Sequence, residues 1–287
     1  PAAEGEPMGR HTTFRIGGPA DLFLRPRSAA QAAALAAQAR ALGVPVLFLG
    51  RGSNLVVGDE GFRGAVVTLE EAAGEGPRLA ADGLVDCPAG VNLAALCKFA
   101  AAQGLSGLEF AYGIPGSLGG GVFMNAGAYG GELGQVVEQV DFWDEEGRPH
   151  TLAGAALGFS YRHSWFAGHP GCLIAGARLA LRPGDPAEIA AKMEEYLRAR
   201  REKQPLDYPS AGSAFKRPAG AYAAQLIDSC GLKGLRVGDA MVSEKHAGFI
   251  VNCGRATCAD VRELVEQVRA AVQARTGYLL ECEIKFV

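Results

Sequence analysis

With 287 residues, 48% of them hydrophobic and 21% charged, the chain has the composition of a folded protein with a sizeable core, as one large domain or a few smaller ones. Its 28 Lys and Arg against 31 Asp and Glu leave a net charge of −3, which argues against a general nucleic-acid binder, since that needs a basic stripe. No apolar run approaches the roughly 20 residues of a membrane span, the start PAAEGEP lacks the basic and apolar regions of an export signal, and the 7 cysteines form no C-x-x-C pair, so a soluble protein of the reducing cytoplasm is expected.

Ser28, an alanine-rich run and Gly43 supply an N-cap, an apolar stripe and a closing glycine, and predict a helix. Val44 to Leu49 reads as a buried strand, followed by a glycine turn and short strands at Leu55 to Val57 and Ala65 to Leu69. Asn92 caps a second predicted helix that runs through Gln103 and closes at Gly104. The glycine-dense stretch Gly113 to Gly131 cannot be regular throughout, and it leads into a strand from Val136 to Trp143, with another expected from Cys172 to Leu181. Pro183-Gly-Asp-Pro186 breaks any element and predicts a domain boundary. Beyond it, Ala187 to Arg201 reads as a charged amphipathic helix and Tyr222 to Cys230 as a short one ended by Gly231. Thr257 caps a longer helix in which Val261, Leu264, Val265, Val268, Ala271 and Val272 form one apolar stripe. Tyr278 to Val287 closes the chain as a predicted strand. The outline is two α/β units followed by a smaller α+β unit.

Two glycine clusters could carry chemistry. Gly50-Arg-Gly-Ser-Asn-Leu55 directly follows a predicted strand, so its backbone N–H groups can converge on an anion; it matches neither G-x-G-x-x-G nor the P-loop, and a plain β-turn explains it equally well. Gly113 to Gly131 keeps Ile114, Leu118, Val122, Phe123 and Met124 among its glycines. That mixture suits a backbone approached by something large and flat, such as a dinucleotide cofactor, better than a flexible surface loop.

Three polar groups, each with an ordinary structural explanation, hold the other candidates: Ser160-Tyr-Arg-His-Ser164, Pro209-Ser-Ala-Gly-Ser-Ala-Phe-Lys-Arg-Pro218 and Leu280-Glu-Cys-Glu-Ile-Lys-Phe286. Arg162 suits a surface ion pair and Ser213 a turn. Period-two alternation puts Glu281, Glu283 and Lys285 on the solvated side of a half-buried strand, opposite Leu280, Cys282, Ile284 and Phe286. There is no G-x-S-x-G elbow and no H-E-x-x-H, and His163-x5-His169 is poor ligand spacing, so neither a serine hydrolase nor a metal site is expected.

Taken together and in order, these and further blocks resemble a family. They are Thr12-Thr-Phe-Arg-Ile-Gly-Gly-Pro-Ala-Asp21, Leu49-Gly-Arg-Gly-Ser-Asn54, Gly113-Ile-Pro-Gly-Ser-Leu-Gly-Gly120, Met124-Asn-Ala-Gly127, Tyr161-Arg-His-Ser164, Lys203-Gln-Pro205, Pro209-Ser-Ala-Gly-Ser213, Val242-Ser-Glu-Lys-His246 and Glu281-Cys-Glu-Ile284. The chain resembles the UDP-N-acetylenolpyruvoylglucosamine reductases, also called UDP-N-acetylmuramate dehydrogenases, of peptidoglycan synthesis. The resemblance implies an α+β fold of the FAD-binding class shared with vanillyl-alcohol oxidase. Two subdomains, 1–70 and 71–183, would enclose FAD, and a smaller α+β domain, 184–287, would bind substrate. Cys282 stands where the family usually has Pro, and Arg217-Pro218 where its lysine block often continues with Asn-Pro. The short span between Arg162 and Ser213 is similar to the family's shorter type, which lacks a tyrosine-bearing loop.

What the resemblance implies for the site is non-covalent FAD held by Gly50, Arg51, Gly52, Ser53, Asn54, Gly113, Ile114, Pro115, Gly116, Ser117, Gly119, Gly120, Asn125, Ala126 and Gly127. NADPH would reduce the flavin, which then gives a hydride from N5 to the enolpyruvyl double bond of UDP-N-acetylglucosamine enolpyruvate. Arg162 would grip the substrate carboxylate as negative charge builds on it. Glu283 would be its partner, donating a hydrogen bond in protonated form inside a desolvated pocket. Ser213 would deliver a proton to the neighbouring carbon with cationic support from Lys216 and Arg217, and Tyr161, Lys203, Lys216 and Arg217 would contact substrate, Lys203 at the diphosphate. An FAD oxidase of the same fold acting on an alcohol or hydroxy acid, and a non-catalytic nucleotide-sugar binder, remain as alternatives. Neither nucleic acid nor membrane insertion is expected, and the oligomeric state stays open.

Overall fold

The structure is a computed structural model that describes residues 2–72, 74 and 76–287. Contacts divide the chain into two compact units. The first comprises Pro1–Glu4, Leu22–Arg51 and Gly64–Arg200, and the second Gly5–Asp21, Gly52–Arg63 and Arg201–Val287.

In the first unit a five-stranded antiparallel sheet has the spatial order Pro149–Ala153, Val137–Trp143, Leu173–Leu179, Val85–Pro88, Arg78–Leu79. A four-stranded sheet orders Ala2–Pro7, Pro19–Leu24, Phe62–Thr68 and Val46–Leu49, the last two parallel with Val46 opposite Ala65. Helix α1 (Ala29–Ala41) begins at Ser28, whose side chain accepts the Gln31 N–H, and α2 (Leu93–Ala102) at Asn92, which accepts that of Ala94. Both caps satisfy donors that a helix start leaves unpaired. Leu93, Leu96, Cys97 and Ala100 of α2 join Val85, Val140, Leu157, Phe166 and Leu179 in one buried core.

The glycine-dense stretch, expected not to be regular throughout, includes one short helix, α3 (Leu118–Met124), with three glycines in seven residues. Packing explains two of them. A Cβ on Gly119 would meet the Ala89 Cβ at 2.9 Å, and one on Gly121 the Leu133 Cδ1 at 2.7 Å, so the helix lies closer to its neighbours than any side chain would allow. The predicted boundary at residues 183–186 starts a helix instead. Asp185 caps α4 (Pro186–Lys203), accepting the N–H groups of Ala187 at 2.7 Å and Glu188 at 3.1 Å, while Pro186 occupies the first turn, where a missing N–H costs nothing. Ile189 and Met193 are buried in the first core, so the contact division falls after Arg200 and not at the prolines.

The second unit is built on an antiparallel sheet in the order Ser210–Ser213, Phe249–Asn252, Ala240–Val242, Arg236–Val237. Against it lie α5 (Ala223–Ser229) and α6 (Cys258–Thr276). Thr257 and Asp260 form a reciprocal capping box, and the Asp59 carboxylate accepts the N–H groups of Cys258 at 2.7 Å and Ala259 at 3.0 Å, so the positive end of α6 meets a fixed anion. Val261, Leu264, Val265, Val268 and Val272 bury the predicted stripe together with Phe14, Ile16 and Val56.

The predicted closing strand from Tyr278 to Val287 is corrected to two short pieces. Cys282 bridges Phe215 in antiparallel sense, and only Lys285–Phe286 forms a strand, parallel to Leu55–Val56. The change of partner breaks the alternation, so that Glu283 and Ile284 are both buried while Glu281 and Lys285 stay exposed.

Candidate active site

Arg162 sits in a tight turn of the first unit. Ser160 and His163 exchange both backbone hydrogen bonds, each 3.1 Å, leaving Tyr161 and Arg162 as the central pair. Arg162 has φ +54°, a left-handed conformation that an arginine adopts only when its surroundings impose it. Its Nη2 donates to the Gly127 carbonyl at 3.3 Å, and its guanidinium lies 5.1 Å from the Tyr161 ring centroid. Tyr161 itself is exposed. The first unit therefore brings the Ser160–Ser164 group against the Met124–Gly127 block, two segments that are separate in the sequence.

In the second unit a bulge presents Ser213. Three steps from Ser210 to Ser213 oppose two from Val251 to Phe249, and the extra residue is absorbed beside Gly212, whose φ of +77° explains the glycine of the Pro209-Ser-Ala-Gly-Ser213 block. The next residue, Ala214, donates its N–H to the Gly248 carbonyl at 2.7 Å and accepts that of Glu283 at 2.8 Å. Ser213 and Glu283 are thus held on paired backbone segments, one residue out of register, although 70 positions separate them in sequence. Asn54 fixes the same segment from its other side. Its Nδ2 donates to the Glu283 carbonyl at 3.3 Å, and its own carbonyl accepts the Lys285 N–H at 3.0 Å.

The cationic support expected for Ser213 is engaged elsewhere. Lys216 Nζ pairs with Glu281 Oε1, and the Arg217 guanidinium stacks 4.6 Å from the Tyr222 centroid. Lys203 is exposed at the end of α4 and makes no hydrogen bond or ion pair among the described residues.

The cofactor candidates divide into residues the protein itself uses and residues left open. Asn125 is fully buried; its Nδ2 donates to the Ser160 carbonyl at 2.9 Å and its Oδ1 accepts the Gly134 N–H at 2.8 Å, so the side chain is spent inside the protein. Ala126 donates to the Gly121 carbonyl, and a Cβ on Gly127 would strike the Gly131 carbonyl oxygen at 2.6 Å. Ser117 caps α3, and the first N–H groups of that helix already reach Val91 and Ala89. Ile114 donates its N–H to Ala111, Gly116 pairs with Ile114 and Leu93, and Pro115 is exposed. Gly120 is exposed, and a Cβ there would meet only the Ser117 Oγ, at 3.5 Å.

A Cβ on Gly50, in contrast, would press on that same Oγ at 2.5 Å, and one on Gly52 (φ +58°) would collide with the His11 carbonyl. Arg51 makes a long ion pair of 3.6 Å with Glu70. The N–H groups of Arg51, Gly52, Ser53 and Asn54 donate to no acceptor among the described residues, although Gly52 is buried. A buried donor such as the Gly52 N–H requires a partner. A row of N–H groups in a tight turn fits the phosphates of a dinucleotide, and the exposed Gly120 backbone, its N–H on the Ser117 Oγ, leaves room for such a ligand to approach.

Two polar groups were not singled out in the sequence. Arg200 of α4 is half-buried beside Gly113, where a Cβ would lie 3.0 Å from its Cδ; it makes no hydrogen bond or ion pair among the described residues, and burial pulls its guanidinium below the usual value. The Gln204 Oε1 is buried and has no hydrogen-bond partner among the described residues. Arg200 carries no sequence signal, because α4 is charged along most of its length, and Gln204 lies in the Lys203-Gln-Pro205 block, which drew attention to its lysine.

Comparisons with known proteins bear on the family and the fold. A family model described as "UDP-N-acetylenolpyruvoylglucosamine reductase, C-terminal domain" matches residues 204–287, and one described as "FAD binding domain" matches residues 20–153. The chain is 47% identical over 281 residues to UDP-N-acetylenolpyruvoylglucosamine reductase 2 of Symbiobacterium thermophilum, spanning 98% of this chain and 90% of that protein. It is 46% identical over 283 residues to the reductase of Heliobacterium modesticaldum, spanning 98% and 89%. The crystal structure of UDP-N-acetylenolpyruvylglucosamine reductase (MurB) from Thermus caldophilus matches with a TM-score of 0.81 at 39% identity, over 100% of this chain and 98% of that one. Identity of this level over nearly the full length of both partners makes the chain a member of the UDP-N-acetylenolpyruvoylglucosamine reductase family, an oxidoreductase with an FAD-binding domain.

Proposed function

We propose that the chain uses NADPH to reduce the enolpyruvyl group of UDP-N-acetylglucosamine enolpyruvate, giving UDP-N-acetylmuramate in the cytoplasm. Bound FAD supplies the redox chemistry, two-electron transfer between the nicotinamide and the enolpyruvyl double bond. The N–H groups of Arg51 to Asn54, which reach no acceptor among the described residues, and the exposed backbone at Gly120 would hold it. The single observation that supports this reading most is the backbone hydrogen bond from the buried Glu283 to Ala214, the residue next to Ser213.

Each residue then has a defined task. Arg162 grips the substrate carboxylate, because a planar, permanently charged guanidinium can donate two parallel hydrogen bonds to it as charge accumulates there. Glu283 works at the same carboxylate. Ser213 Oγ gives the proton to the carbon next to the carboxylate. A serine hydroxyl is a weak acid, so this step needs a strongly basic carbon, which accumulation of charge on the enolpyruvyl group supplies. Tyr161 and Lys203 contact the substrate, Lys203 as a point charge for the diphosphate. Lys216 and Arg217 act at longer range, since Glu281 and Tyr222 engage them.

Anaerobic stopped-flow absorbance tests the reading. NADPH should bleach the flavin band, and UDP-N-acetylglucosamine enolpyruvate should restore it. In Ser213→Ala the recovery should slow by about 10²–10⁴-fold, the usual worth of a general acid, while bleaching keeps its rate. Equal slowing of both phases would remove Ser213 from the proton step, and bleaching without recovery in the unaltered protein would remove the substrate assignment.

A further inference from the structure

The turn that carries Arg162 is closed by the Ser160–His163 backbone pair, but that pair alone does not make arginine a comfortable occupant. With φ positive at its second central residue, such a turn favours glycine or asparagine, and arginine stays there only if contacts from outside the turn impose the conformation. Two buried side chains supply those contacts, and both reach the C-terminal end of α3. At one end, Asn125 Nδ2 donates to the Ser160 carbonyl at 2.9 Å while Asn125 Oδ1 accepts the Gly134 N–H at 2.8 Å. At the other end, the fully buried Ser164 Oγ donates to the Phe123 carbonyl at 2.8 Å. The Arg162 guanidinium completes the arrangement on the Gly127 carbonyl, two residues beyond Asn125.

Asn125 suits this place for a backbone reason as well. It ends α3 with φ +45° and ψ +58°, a left-handed cap that asparagine tolerates better than any residue except glycine. Glycine would keep the backbone but could not span from Gly134 to Ser160.

We propose that Asn125 is a positioning residue for Arg162, its buried amide setting the turn that aims the guanidinium and making no contact with the cofactor. This rests on the reading of Arg162 as the group that grips the substrate carboxylate. The geometry extends that reading from the guanidinium to the fold around it, and it assigns Ser164 the same task at the far end of the turn.

A double-mutant cycle on the FAD-loaded protein tests it, with Asn125→Gly, Arg162→Ala and the pair, measuring the affinity of oxidised enzyme for UDP-N-acetylglucosamine enolpyruvate together with FAD content and thermal midpoint. Asn125→Gly should weaken substrate binding about tenfold or more at normal FAD content, and should add nothing in the Arg162→Ala background, because residues that act through one group are not additive. Independent, multiplicative losses would overturn the proposal, as would loss of FAD with unchanged substrate affinity in the remaining holoenzyme. If Asn125→Gly does not fold, Ser164→Ala replaces it in the cycle under the same criteria. Normal substrate affinity in Arg162→Ala alone would remove Arg162 from its role, a result separate from additivity between the two positions.

Discussion

Gly119 and Gly120 are neighbours in α3 and belong to the same sequence block, yet they are glycine for different reasons. A methyl at Gly119 would press on Ala89, whereas one at Gly120 would meet only the Ser117 Oγ, at an ordinary contact distance of 3.5 Å. Gly119→Ala should therefore overpack the first core, at a cost of about 1–3 kcal/mol in the cofactor-free protein. Gly120→Ala should leave the cofactor-free protein as stable or up to about 1 kcal/mol more so, since it removes a glycine from a helix. Its FAD affinity should nonetheless fall tenfold or more, about 1.4 kcal/mol. Thermal melts with and without FAD check both, and a Gly120→Ala protein that retains normal FAD affinity would end the assignment of that face. The sequence marks both positions alike, because glycine density records that side chains are excluded and not whether protein or ligand excludes them. Glu283 was hidden in the same way. Alternation placed it with Glu281 and Lys285 on a wet face, and only the switch of partner from Phe215 to the strand Leu55–Val56 buries it.

Elements with a strong local signal were legible. Ser28, Asn92 and Thr257 cap the helices expected of them, and the α6 stripe is buried where its spacing put it. The hairpin between Ala240–Val242 and Phe249–Asn252 offered no comparable signal, although it holds the Ser213 segment. Its connection is organised by side chains: buried Ser243 accepts the N–H groups of Lys245 and His246, and His246 Nδ1 accepts that of Gly248, whose carbonyl in turn takes the Ala214 N–H. That role requires neutral imidazole, because a protonated ring has no acceptor. Burial, with repulsion from Lys233, holds the His246 pKa below its ordinary value of 6.5. The unfolded chain thus takes up this proton more readily than the folded one. The resulting stabilisation is fully present above the unfolded value and is lost as pH falls through the folded one. Urea midpoints measured from about pH 7.5 down to about pH 5 should fall more steeply for the native protein than for His246→Asn, which keeps an acceptor that does not titrate. Parallel curves would show that the His246 proton does not report on this connection.

At the scale of the whole molecule, each compact unit is assembled from three stretches of chain, and no reading of local periodicity could have found that. The later unit was expected to be continuous from residue 184 onward, yet its core includes Phe14, Ile16 and Val56, all at most 3% exposed. Backbone and side-chain hydrogen bonds bind the same early segments to the late ones. Thr13 Oγ donates to the Ser210 carbonyl at 2.7 Å, Asn252 Nδ2 to that of Phe14 at 3.2 Å, Val287 N to that of Val56 at 3.0 Å, and Gly58 N to that of Val287 at 2.7 Å. Deleting the early segments would forfeit burial of three large side chains, about 1.5–3 kcal/mol each, a sum comparable with the whole stability of a domain. It would also strip the Lys285–Phe286 strand of its partner, strand Leu55–Val56, and α6 of the Asp59 carboxylate at its N-terminus. Residues 201–287 expressed alone should therefore give a poorly dispersed amide spectrum and no cooperative melt, although a family model covers nearly all of that span. A fusion that supplies residues 5–21 and 52–63 through flexible linkers should restore both signals. A cooperative melt and dispersed spectrum from 201–287 alone would mean that the later stretch carries a sufficient core, with the early segments as additions to a domain that already folds.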